Sequence, residues 1–264
     1  MDRRNRLHTF FLRTTVIWSR VGQHIKTMNY KENELLEWAA RTAEAYHSLA
    51  VDPSHQDCNL AFYTQSDLRG LTAPPELLIL TINPYGDAGY TGRDGFPGQL
   101  DNDGWQAWGL HGRMTGDVLI KGNPSFGTRE SWRMWRRLRN ILGRGGVDYL
   151  LDDASRLVCT ELIFFNTPNA KQIPKAAYAL VPHTVELIDI LRPKRILCVG
   201  AATCLPSLRP YITGLTQIAQ NVKGGQLNGI PFYAIPHTSA RYTTEQLDIA
   251  GRTLGAQFTA DMNR

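Results

Sequence analysis

The stretch Glu76-Leu77-Leu78-Ile79-Leu80-Thr81-Ile82-Asn83-Pro84 decides the fold. Its apolar residues run on without the alternation of a half-exposed strand, and Asn83-Pro84 stops them. That is the pattern of a strand buried on both faces that feeds a loop. Three further stretches follow the same plan. Glu161-Leu162-Ile163-Phe164-Phe165 precedes Asn166-Thr167-Pro168, Arg195-Ile196-Leu197-Cys198-Val199 precedes Gly200-Ala201-Ala202, and Pro231-Phe232-Tyr233-Ala234-Ile235 precedes Pro236-His237. Helical spacing lies around them, over residues 30–50 (Leu35, Leu36, Trp38, Ala39, Ala43, Tyr46), 128–143, 174–192 and 243–258. Strands alternating with helices predict an α/β fold, with a single domain over residues 28–264 built on a four-stranded, mostly parallel sheet flanked by helices. Ligands of such sheets bind outside the carboxyl ends of the strands. Asn83, Asn166, Gly200 and His237 all stand at those ends.

The bulk composition narrows the class. The 264 residues, 42% hydrophobic, suffice for one sizeable core. No run reaches the roughly 18 apolar residues of a membrane span, so no membrane partner is expected. The net charge of +5 and a pI of about 9.1 are compatible with a polyanionic partner. Residues 1–27 set Arg3, Arg4, Arg6, Arg13, Arg20 and Lys26 against Asp2 alone. They are expected to form a basic N-terminal arm, and they lack the apolar centre of a secretory signal. Cys58, Cys159, Cys198 and Cys204 form no CxxC pair, so reduced, buried thiols are expected and no metal or other cofactor. A cytoplasmic monomer is the corresponding expectation. Residues 85–127, rich in Gly, Asp and aromatics, form a long segment of the kind that carries function or small elements of its own.

Taken together, the strand ends resemble the uracil-DNA glycosylase superfamily. Its first motif reads Gly-Gln-Asp-Pro-Tyr-His, or Gly-Met-Asn-Pro-Gly in the single-strand-selective branch, and Thr81-Ile82-Asn83-Pro84-Tyr85-Gly86 mixes the two. The family's base-stacking phenylalanine lies thirteen residues on, which is Phe96. Its proline–serine loop is matched by Gly122-Asn123-Pro124-Ser125-Phe126, its Leu-Leu-Asn-Thr by Phe164-Phe165-Asn166-Thr167, and its Gly-Ser turn in part by Gly200-Ala201. Its last motif, His-Pro-Ser-Pro followed by Leu or Arg, is matched by His237-Thr238-Ser239-Ala240-Arg241. The motifs occur in order over residues 76–242. The losses are both prolines of the last motif and the serine at Ala201.

The resemblance implies a monofunctional DNA glycosylase, which flips a pyrimidine out of the helix and hydrolyses its bond to the sugar, leaving an abasic site. No lysine stands at a matched position to form a Schiff base. Asn83, which cannot ionise, would orient the water through its amide. His237 would stabilise the anionic base as a donor. Asn166 would read the base edge, Phe96 would stack on the base and Tyr85 would stand against its C5 position. Asn123, Pro124, Ser125, Gly200, Ala201 and Ser239 fall in the DNA-gripping loops, and Arg241 at the wedge that fills the gap. On helical spacing, Arg129, Arg133, Arg136 and Arg137 form one basic face suited to phosphates.

The substrate reading stays open between uracil and a C5-modified pyrimidine. The segment 101–113 has no counterpart in the family pattern; its Trp105 and Trp108 read either as core packing or as the lining of an enlarged pocket, and the latter makes a phage-defence enzyme that removes glucosylated hydroxymethylcytosine a serious alternative. A non-catalytic nucleic-acid-binding module and a small-molecule nucleoside hydrolase are the other classes.

Overall fold

The computed structural model describes residues 30–50, 64–84, 116–165, 167 and 170–262. A six-stranded mixed sheet forms its centre, with strands β1 (Leu77–Thr81), β2 (Leu157–Glu161), β3 (Ile196–Val199), β4 (Ile212–Ala219), β5 (Val222–Leu227) and β6 (Ile230–Ile235) in the order β2-β1-β3-β6-β5-β4. The pairs β1–β2, β1–β3 and β3–β6 are parallel, whereas β5–β6 and β4–β5 are antiparallel. The α-helices are α1 (Glu32–Ala50), α2 (Gly116–Lys121), α3 (Arg133–Gly143), α4 (Val181–Leu191), α5 (Ala201–Leu208) and α6 (Thr244–Met262).

The central strands are apolar throughout because both faces are covered. Successive side chains of a strand point to opposite faces. Leu78, Leu80, Val158, Ile196, Cys198 and Phe232 pack with residues of α1, α4 and α5. Leu77, Ile79, Leu157, Cys159, Leu197 and Ile235 pack with residues of α3 and α6. The contact of α6 with the end of α3 is backbone-close. A Cβ on Gly251 would stand 2.3 Å from the Ile141 carbonyl oxygen, and one on Gly255 would stand 2.3 Å from that of Gly145.

Several predictions need correction. The sheet has six strands, not four, because β4 and β5 form an antiparallel hairpin extension that the apolar pattern did not reveal. Their sequences are rich in Thr, Gly and Gln, and β4 is largely exposed. The Asn228-Gly229 pair between β5 and β6, with φ of 49° and 80°, is a hairpin-turn signal that was present in the sequence. The second strand ends at Glu161 instead of beginning there. The Phe-rich run 162–165 is buried beyond the ladder, and the Phe164 N–H donates to the Tyr46 hydroxyl at 3.0 Å.

The expected 128–143 helix begins only at Arg133, after a 3-10 helix over Pro124–Ser131 that is kinked at Thr128. Likewise, 174–192 divides into a 3-10 helix (Lys175–Leu180) and α4, where Pro182 takes one of the first helical positions. The last helix runs past 258 to Met262. Within the expected 85–127 loop, 116–121 is helical. Tyr85, Phe96, Trp105, Trp108, Asn166 and the 1–27 arm lie outside the described residues.

Among the described residues, no helix is long and apolar enough to cross a membrane.

Candidate active site

The carboxyl ends of the four parallel strands form one edge, and hydrogen bonds join them in pairs. At the β1–β2 side, Leu162 N–H donates to Thr81 O at 2.7 Å and Ile163 N–H to Ile82 O at 2.9 Å. At the β3–β6 side, Gly200 N–H donates to Ile235 O at 2.9 Å. Gly200 caps α5 with a φ of 121°, and the half-buried Ala201 starts that helix.

Asn83 leaves β1 through Ile82 and is half-buried. Its Nδ2 donates to Pro84 O at 2.9 Å, Phe165 O at 3.3 Å and Thr167 Oγ1 at 2.7 Å. Two of these partners are carbonyls, which only accept, so the amide cannot be turned around. Its Oδ1 is left without a partner among the described residues. Thr167, which is buried, returns a bond from its own N–H to Pro84 O at 3.3 Å. The two residues that flank Asn166 are thus fastened to Asn83.

His237 follows β6 and is exposed. Its Nδ1 accepts from the Ser239 N–H at 3.2 Å and lies 2.7 Å from Ser239 Oγ. A backbone N–H only donates, so the neutral ring carries its proton on Nε2 and presents a donor there. Desolvation of the ring, reinforced by the nearby Arg137 guanidinium, holds its pKa below the ordinary histidine value. The loop is closed by Ala240 N–H on His237 O at 2.8 Å and by the Tyr242 hydroxyl on Pro236 O at 2.8 Å. Burial pushes the Tyr242 pKa up to about 12, so that hydroxyl keeps its proton.

The predicted arginine face divides. Arg129 precedes α3 and turns inward: Nη1 donates to Phe126 O, Nη2 to Leu151 O, and the guanidinium lies over the Phe126 and Trp135 rings. It therefore does not belong to a solvent-facing basic face. Arg137 is part-buried and donates to Thr238 O at 2.8 Å, tying α3 to the His237 loop. Arg133, Arg136 and Arg241 are exposed and have no acidic partner among the described residues. The first turn of α3 holds no acidic residue, and its N-cap position, Trp132, supplies no side-chain bond. Arginines there oppose the positive end of the helix dipole, an arrangement that an approaching anion relieves.

Asn123 also turns inward, with its N–H on Gln65 O at 3.0 Å and its Nδ2 on Gln65 Oε1 at 2.9 Å. It anchors the turn that carries Pro124 and Ser125. Gly122 fits there with a φ of 66°, where a Cβ would lie 2.3 Å from Ser66 O. Ser239 is exposed beside the histidine it orients.

Sequence reasoning missed Gln65, Tyr242 and Glu161. Of these only Glu161 left a signal, as the one charged residue within the apolar run 157–165. Among the described residues, no group of three or more His, Cys, Asp or Glu is placed to hold a metal ion.

No protein-family model matches the chain, and no curated protein matches it.

Proposed function

We propose that this chain is a monofunctional DNA glycosylase acting on uracil or a C5-modified pyrimidine. One observation supports the reading most: the parallel-strand edge bears two groups of opposite polarity that are unengaged among the described residues. These are Asn83 Oδ1, an acceptor fixed by the bonds of its own nitrogen, and His237 Nε2–H, a donor fixed by Ser239. An acceptor orients a water by accepting a hydrogen bond from it, and a neutral donor stabilises charge that builds on a departing base. In the reaction, the bond from C1′ to the base nitrogen breaks and its electron pair leaves with the base. The water oxygen bonds to C1′, and the water's proton ends on the base anion. His237 stabilises that anion at its O2 oxygen before the proton arrives.

Arg133, Arg136 and Arg241, exposed and without an acidic partner among the described residues, suit phosphate contacts, and Arg241 suits the gap left by the flipped base. The resemblance assigns Asn166, Phe96 and Tyr85, which lie outside the described residues, to recognition of the base. The role is that of a DNA-acting hydrolase without a cofactor, in repair or in defence against phage with modified cytosine.

The test is a duplex carrying one uracil, and in parallel DNA from a phage whose cytosines are hydroxymethylated and glucosylated, each assayed for abasic sites. Abasic sites on the first substrate define a uracil enzyme, and on the second alone a defence enzyme. Tight binding without base loss on either would assign the chain to nucleic-acid binding and overturn the catalytic reading.

A further inference from the structure

Glu161 ends β2 opposite Thr81 of β1, and it is 1% exposed. Nothing in the proposed chemistry uses it. Its Oε2 has no hydrogen-bond partner among the described residues. Desolvation raises its pKa well above the ordinary glutamate value, opposed only by a hydrogen bond from the Gln65 side chain. Gln65, also buried, has both ends of its amide engaged: Oε1 accepts from Asn123 Nδ2, so its Nε2 is the end that donates to Glu161. The segment around Gln65 is seated on β2, with Ser66 N–H on Cys159 O at 3.1 Å and Cys159 N–H on Ser66 Oγ at 2.7 Å. On its other side, Asn123 N–H binds Gln65 O, and Phe126 N–H closes the turn on Asn123 O at 2.9 Å. The contacts run without a break from the end of β2, through Gln65, to the turn that presents Pro124 and Ser125.

We infer that Glu161 is a positioning residue for the Asn123–Phe126 turn, acting through Gln65 on the grip of that turn on the nucleic-acid backbone. The inference rests on the nucleic-acid reading given above. An apolar residue at 161 would leave the Gln65 amide N–H buried and unpaired, and the amide would turn away from Asn123. A glutamine would keep an acceptor for it. The acid differs from glutamine in one respect: when it loses its proton, it sets a buried negative charge behind a turn that must face phosphates. The titratable groups around it do not offset that charge. Cys159 on the same strand and Tyr46 from α1 become anionic if they ionise, and the Arg129 guanidinium is bonded to Phe126 O and Leu151 O.

The experiment measures binding of a short duplex containing a stable abasic-site analogue, against salt, at pH 7 and pH 9. The proteins are wild type, Glu161→Gln, Glu161→Leu and Gln65→Leu. His237 is neutral across this window, so its titration does not contribute. Glu161→Leu and Gln65→Leu are expected to weaken binding about tenfold at fixed salt and to leave the slope of log affinity against log salt unchanged, since the Asn123–Phe126 turn carries no cationic side chain. Glu161→Gln is expected to lose less affinity than wild type as pH rises, because it keeps an acceptor for Gln65 and cannot ionise. If Glu161→Leu fails to fold, Gln65→Leu and Glu161→Gln decide: a folded Gln65→Leu with wild-type affinity, or a Glu161→Gln as weak as Gln65→Leu, overturns the inference. So does a folded Glu161→Leu with the wild-type affinity. Wild type without salt-dependent binding overturns the nucleic-acid reading itself, and the positioning role with it.

Discussion

Asn83 and His237 stand at the ends of β1 and β6, yet the fold holds them in different ways. Asn83 is half-buried, and its nitrogen bridges two strand ends. His237 is exposed and is oriented by Ser239, two residues on in its own loop. That loop is steadied from outside the sheet by Arg137 of α3. The acceptor thus takes its position from the sheet and the donor from a helix–loop contact. The acceptor's geometry therefore survives any change that leaves the segment after β2 in place. The donor's geometry depends on where α3 lies, and α3 is the helix that carries the proposed phosphate contacts.

The sharpest way to break this contrast is to remove each group. Asn83→Ala and His237→Ala are each expected to slow single-turnover base release by roughly a hundredfold or more, the usual scale for a lost positioning group or donor. Asn83→Ala is also expected to lower the melting temperature, because Phe165 O and Thr167 lose a partner, whereas His237→Ala leaves it nearly unchanged. Equal melting temperatures for the two variants would show that the sheet does not depend on Asn83.

Arginine variants sharpen the comparison at a smaller scale. Arg137→Ala is expected to slow base release about tenfold at saturating DNA, since the His237 loop loses its tie to α3. Arg133→Ala and Arg136→Ala leave the chemical step alone and flatten the salt slope by about one unit each. A rate loss for Arg133→Ala as large as that for Arg137→Ala would erase the distinction. Smaller still is Ser239→Ala. The backbone N–H of residue 239 still holds Nδ1, so a loss of only a few-fold in the rate is expected, and a hundredfold loss would show that the hydroxyl alone sets the ring.

The first strand and the third were legible because apolar residues run unbroken through Leu77–Leu80 and Ile196–Val199, a pattern that burial on both faces produces. The β4–β5 hairpin was not, because Thr213, Gly214, Thr216 and Gln217 are exposed and carry no apolar signal. At the site, Asn83 and His237 were legible as polar residues that stop strands. The inward turn of Arg129 and Asn123 was not, because helical spacing assigns a face without saying where the helix begins. Glu161 was read as the start of a strand, although a lone acid in an apolar run signals burial.

The buried acid gives a prediction on stability that needs no DNA. Its pKa is raised in the folded chain, so its contribution is fully present below the unfolded glutamate value and is lost as pH rises through the folded one. Wild type should therefore lose stability relative to Glu161→Gln between pH 5 and pH 8. Urea midpoints at the two pH values check this, and a constant difference between the proteins would mean that Glu161 titrates normally.

The meeting of α6 with the end of α3 bears on how this sequence can drift. Gly251 and Gly255 have no chemistry to perform, yet each faces a carbonyl oxygen at a distance that leaves no room for a methyl group. In a saturation library scored for activity, both positions should reject even alanine, while exposed neighbours such as Arg252 and Ala256 accept most residues. Descendants of this chain would then keep a Gly-x-x-x-Gly signature in their last helix because of the space it leaves, and it would mark them as kin even where the catalytic loops have diverged.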